Sequence, residues 1–63
     1  MLYRVNVKYT GTFKGNKFDI WALEGTPLNV VWNAEKWRFL PGDKVVLEDC
    51  YGNRREFVKG LFG

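Results

Sequence analysis

The sequence predicts an all-β fold, a small five-stranded barrel with one short helical turn between strands 3 and 4. Three observations carry this expectation. Apolar and polar residues alternate with a period of two through most of the chain. Two turn segments, KGNK and CYGNR, divide alternating runs as hairpin ends do. Strands this short, with bends and no long helix, favour a sheet curled until few edges remain open.

Each element follows from its own residues. Tyr3, Val5, Val7 and Tyr9 alternate with Arg4, Asn6, Lys8 and Thr10, the signature of a half-buried first strand. Gly15-Asn16 as a two-residue loop pairs Lys14 with Lys17, Phe13 with Phe18, Gly11 with Ile20 and Tyr9 with Ala22. That register turns Phe18, Ile20 and Ala22 inward and sends Thr10, Thr12, Asp19, Trp21 and Leu23 outward. Gly11 is expected to mark a bulge or a barrel bend. EGTP at 24–27 ends the second strand, since Pro27 cannot donate to a ladder. Residues 28–32 read as strand 3, with Leu28, Val30 and Trp32 on one side. Asn33 then caps a short helical turn over 34–36, and Pro41-Gly42 fits the centre of a type II turn. Strand 4 is expected at 44–48 and strand 5 at about 54–59. A four-residue loop from Cys50 to Asn53 pairs Asp49 with Arg54, Glu48 with Arg55 and Val45 with Val58, so that opposite charges meet. The element order is that of an oligonucleotide-binding (OB-like) barrel of minimal size. An SH3-like barrel is the alternative, because it places its helical turn before the last strand.

The totals bound what such a chain does. Sixty-three residues are expected to form a single domain, 1–63. Three Trp, three Tyr and five Phe supply large rings in place of disulfides or metals. One cysteine, Cys50, allows no intramolecular disulfide and fits a reducing compartment. No apolar run approaches the ~18 residues of a membrane span, and the first ten residues alternate instead of forming a signal-peptide core. A cytoplasmic protein without membrane association is expected. The net charge of +3 is unevenly placed: residues 1–17 carry +4, residues 18–53 carry −3 and residues 54–63 carry +2. Such separation of sign points to a partner-facing surface.

Catalysis is not expected. Without histidine, acid–base work falls to carboxylates, Cys50 or a lysine. The Glu48-Asp49-Cys50 cluster reads as a solvated hairpin end, and Cys50 has no histidine to activate it. One Cys and no His leave no soft ligand set for zinc, so no metal site is expected. KGNK and YGNR are turns and not phosphate loops, and nothing implies a cofactor.

Trp21 poses the functional question, because the register sends it outward beside Lys8, Thr10 and Thr12. Single strands are bound by aromatic faces that stack on bases and cations that follow phosphates. The leading expectation is therefore a non-enzymatic module for single-stranded DNA or RNA. Trp21 would stack, with Tyr9 or Tyr51 assisting, and Arg4, Lys8, Lys14, Lys17, Arg54 and Arg55 would contact phosphates. The alternative is a protein-interaction or inhibitory module that docks its Trp21/Leu23 patch or an edge strand onto a larger protein, or onto a second copy as a homodimer. A third reading makes Trp21 part of the core, covered by the helical turn with Trp37 and Phe39.

Overall fold

A computed structural model describes residues 5–61, and Arg4 and Tyr3 lie outside them. The described chain is mostly β, with strands β1 (Asn6–Phe13), β2 (Asn16–Leu23), β3 (Lys44–Glu48) and β4 (Arg54–Val58). Helix α1 (Leu28–Glu35) and one 3-10 turn (Lys36–Arg38) lie between β2 and β3. The strands form one antiparallel sheet in the order β2-β1-β3-β4. It is not closed: β2 and β4 are its two edges. The expected five-stranded barrel, OB-like or SH3-like, is therefore corrected to an open four-stranded sheet.

The missing strand is the helix. Leu28, Val31, Trp32 and Glu35 are the partly or fully buried positions of α1, the spacing of one helical face. Val31 is 2% exposed and Val30 is 46% exposed, the reverse of what a strand with Val30 inward requires. Pro27 precedes the first turn, where its lack of an N–H does no harm. Its carbonyl accepts from the Val30 and Val31 N–H groups at 3.0 and 3.1 Å. Asn33 lies inside this helix and caps nothing of its own.

The first hairpin turns one residue earlier than expected, at Lys14-Gly15, with φ of 51° and 81°. These left-handed values are those of the tight turns that match strand twist. Phe18 consequently faces Gly11, Tyr9 faces Ile20, and Lys17 faces Thr12. Two forces favour this register. It separates Lys14 from Lys17, which the expected pairing set opposite each other, and it lays the Phe18 ring over the one inward position without a side chain. Gly11 is thus a seat for a ring within continuous pairing, neither a bulge nor a corner. The pairing changed by an even number of residues, so every side chain kept its expected face.

The second hairpin did not. Asp49 Oδ1 accepts from the Tyr51 and Asn53 N–H groups at 2.9 and 2.8 Å, and Oδ2 accepts from Asn53 Nδ2 at 2.8 Å. Asp49 is held by its own loop, chiefly by Asn53, and does not pair with Arg54. Glu48 therefore faces Arg54, Leu47 faces Arg55 and Val45 faces Phe57. This is one residue from the expected register, and it reverses the faces of β4.

The core lies between α1 and one face of the sheet. Tyr9, Ile20, Val31, Trp32, Val45 and Leu47 are buried, and Val7, Phe13, Phe18, Ala22, Leu28, Phe39 and Phe57 pack around them. Trp32 stacks on Phe57 at 5.4 Å and on Phe39 at 5.8 Å between ring centroids. Such ring pairs add stabilisation beyond their area. Gly42, with φ of 93°, closes the Leu40–Asp43 turn that leads into β3. Among the described residues no helix is long and apolar enough to cross a membrane.

Candidate nucleic-acid interface

The second face of the sheet carries no buried residue. Reading outward from the strand pairs, β2 contributes Lys17, Asp19, Trp21 and Leu23, and β1 contributes Asn6, Lys8, Thr10 and Thr12. Lys44, Val46 and Glu48 continue this face on β3, with Arg54, Glu56 and Val58 on β4. Helix α1 packs against the opposite face, so α1 leaves this one uncovered.

Trp21 stands here 64% exposed, directly opposite Lys8 on the neighbouring strand. Trp37 and Phe39 do not cover it: Trp37 is itself exposed, and Phe39 packs with Phe13, Phe18 and Trp32 on the other side. The core reading of Trp21 is thereby corrected. A ring that the core does not use is available to stack on something else.

The expected cations divide into groups. Lys8, Lys17 and Arg54 lie on the uncovered face, and Lys14 sits in the turn at its end, with Nζ 5.3 Å from the Phe13 ring centroid. Lys8 Nζ is 4.0 Å from Asp19 Oδ1, and both groups are more than half exposed, so the pair is weak. Arg54 faces Glu48. Arg55 is corrected to the helix side of the sheet, opposite Leu47, where its guanidinium lies 5.3 Å from the Phe57 ring centroid. Arg4 falls outside the described residues. Lys44 belongs to the face although the sequence reading passed over it; the outward parity of β3 was the signal that could have found it.

Neither tyrosine joins Trp21. Tyr9 is buried, and its hydroxyl donates to the Thr26 carbonyl at 2.7 Å. Burial, the largest influence, raises its pKa above the ordinary 10.0. Tyr51 is exposed on the 49–53 loop and donates to Glu24 Oε1 at 2.8 Å, a bond to a carboxylate that raises its pKa. The Asp49 carboxyl is held below its ordinary value, chiefly by the hydrogen bond from the Asn53 side chain. Tyr9 is thus engaged with the turn after β2, and Asp49 and Tyr51 with the 49–53 loop.

Among the described residues no three His, Cys, Asp or Glu side chains are grouped to hold a metal ion. No protein family, curated protein or solved structure matches the chain.

Proposed function

We propose that this chain is a non-enzymatic module that holds single-stranded nucleic acid against the uncovered face of its sheet. The observation that carries the reading is Trp21, a tryptophan 64% exposed on a sheet face that α1 does not cover. Stacking on such a ring contributes about 1–3 kcal/mol per base and tolerates any base. Lys8 beside the ring, with Lys14 and Lys17 further along the hairpin, follows the phosphates. Lys44 and Arg54 extend the path across the sheet.

The same face carries Asp19, Glu48 and Glu56, so its net charge is only +1, from Lys8, Lys17, Lys44 and Arg54 against these three. Binding is therefore modest and driven as much by stacking as by charge. With about three phosphate contacts the log–log salt slope is about −2. Titrating a labelled single-stranded oligonucleotide at two salt concentrations tests this. Binding that weakens with that slope supports the proposal. No binding at low salt, or binding indifferent to salt, removes it.

A second reading has its own observation. β2 is an edge strand with one side unpaired among the described residues, and Trp21 and Leu23 are both exposed on it. A larger protein, or a second copy of the chain, can add a strand there and cover both side chains. Self-association by light scattering together with absent oligonucleotide binding would favour that reading.

A further inference from the structure

We propose that β2 pairs antiparallel with β2 of a second copy of this chain, about a two-fold axis at Ile20, so that two four-stranded sheets become one of eight strands. The two edges of the sheet are not alike. β4 is five residues long and carries Arg54, Arg55 and Glu56 in succession, charges of the kind that keep an edge strand solitary. β2 is eight residues long and pairs with β1 without interruption. It has no proline and no bulge, and its inward row of Phe18, Ile20 and Ala22 holds no charge. Neighbouring elements leave this edge open. Helix α1 packs toward β3, and the chain leaving β2 turns back inward, its Thr26 carbonyl accepting from the Tyr9 hydroxyl at 2.7 Å.

The backbone fixes which residues can meet. The Glu24 N–H donates to the Val5 carbonyl at 2.8 Å, so the even residues of β2 bond toward β1. The N–H and C=O groups of Lys17, Asp19 and Trp21 therefore point to the open edge. Pairing odd residues with odd residues keeps the Trp21 rows of both copies on one face. An axis at Asp19 would set that carboxylate against its own copy, a like-charge pair. Axes at Phe18 or Trp21 would overlap only residues 16–20 or 19–23. The axis at Ile20 overlaps residues 17–23. Lys17 then faces the partner's Leu23, and Asp19 faces the partner's Trp21 while keeping Lys8 at 4.0 Å. Phe18 faces the partner's Ala22, a large side chain against a small one. The partner's Glu24 arrives beside Asn16 and the Lys14-Gly15 turn, twice by symmetry. An edge whose cationic end complements its own acidic end selects a copy of itself.

The pairing changes the uncovered face. Trp21 and the partner's Trp21 become diagonal neighbours about 7–8 Å apart, within reach of aromatic side chains. Two indoles then stand on one continuous outer face. This last step rests on the single-strand reading above: one strand stacks on both rings, so each dimer takes one strand. The assembly closes at two copies, because the two-fold occupies both β2 edges and the charged β4 edges stay unpaired. An eight-residue edge is about 26 Å long and gives a small interface, so monomer and dimer exchange within an accessible concentration range.

The test is sedimentation equilibrium of the full chain without nucleic acid, from micromolar to millimolar concentration. The mass should rise from 7.4 kDa toward twice that value. Asp19→Pro removes an outward N–H that β1 does not use, so it should fold and stay monomeric. Leu23→Lys sets a lysine against the partner's Lys17 at a half-exposed position and should weaken association roughly tenfold. Adding Lys17→Glu makes that pair attractive and should restore it, which the neighbouring registers do not predict. The Leu23→Lys series carries the test if Asp19→Pro unfolds. A parent that remains at 7.4 kDa at millimolar concentration overturns the pairing, as does a folded Asp19→Pro that associates like the parent. Failure of Lys17→Glu to rescue Leu23→Lys overturns the register. These outcomes are read without a ligand, so they leave the single-strand reading standing, and absent oligonucleotide binding leaves the dimer standing. One oligonucleotide bound per chain, where one per dimer is expected, overturns the shared use of the two rings.

Discussion

Replacing Gly11 with alanine isolates a single packing relation. Gly11 is buried on the helix side of β1, opposite Phe18. It is not among the glycines held at positive φ, so the backbone accepts alanine and only the new methyl group matters. That Cβ would stand under 3.0 Å from three carbons of the Phe18 ring. Restoring ordinary carbon contacts of about 3.5–4.0 Å requires the ring to retreat by roughly 1 Å or more. Phe18 is half-buried and packs 6.1 Å from Phe39, so it retreats toward solvent and gives up part of that contact. Overpacking of this kind costs ~1–3 kcal/mol, and replacing a strand glycine returns ~0.5–1 kcal/mol. The net expectation is a loss of about 1–2 kcal/mol, or roughly 4–15 °C in Tm for a domain of this size. Urea denaturation followed by tryptophan fluorescence measures it. The same substitution made in Phe18→Ala should be neutral or stabilising, because the obstacle is gone. An equal loss in both backgrounds, or a gain in the parent, would refute the role given to this ring.

The other stability predictions separate exposed from structural groups. Trp21→Ala should cost at most about 2 kcal/mol, since a ring of ~250 Å² that is 64% exposed has only ~90 Å² covered, at ~25 cal/mol/Å². Trp32→Ala, at 7% exposure, should cost ~3–5 kcal/mol and leave the chain largely unfolded by circular dichroism. Tyr9→Phe removes the donor to the Thr26 carbonyl and should cost about 1–2 kcal/mol in chemical denaturation. A tyrosine whose pKa is raised on folding contributes stability that is complete below the ordinary 10.0 and disappears as pH rises through the folded value. Tyr9→Phe should accordingly flatten the alkaline fall in Tm, leaving the part due to Tyr51, whose pKa is raised in the same direction. Asp49 has the opposite sign: its depressed pKa gives stability present above the ordinary 3.8 and lost as pH falls through the lower folded value. Asp49→Ala should lower Tm at neutral pH and show a shallower acid decline than the parent.

Side-chain parity was legible in the first hairpin because a period of two survives any even slip in pairing. The turn moved from Gly15-Asn16 to Lys14-Gly15, yet Trp21 and Lys8 still face outward and Tyr9 and Ile20 inward. The bounds of β3 matched the expected 44–48 for a similar reason, since the Leu40–Asp43 turn and the alternation of KVVLE agree. The segment LNVVW did not declare itself. Leu28 and Trp32 are inward in either a strand or a helix, and only the choice between Val30 and Val31 separates the two. The valines favour a strand by propensity, and packing against β3 decided for the helix. Arg55 was misplaced because cross-strand charge pairs were weighed and the local demand of Asp49 for the N–H groups of its own loop was not.

The central claim is that Trp21 is spared by the core and serves as a stacking platform. It is tested most directly by the affinity of one single-stranded oligonucleotide for the parent and for Trp21→Ala, with both shown folded at the same temperature. The account predicts that the parent binds at low salt and that the substitution weakens binding roughly 5- to 150-fold, the loss of one stacked base. Equal affinity of the two proteins, or no binding by the parent, would contradict it.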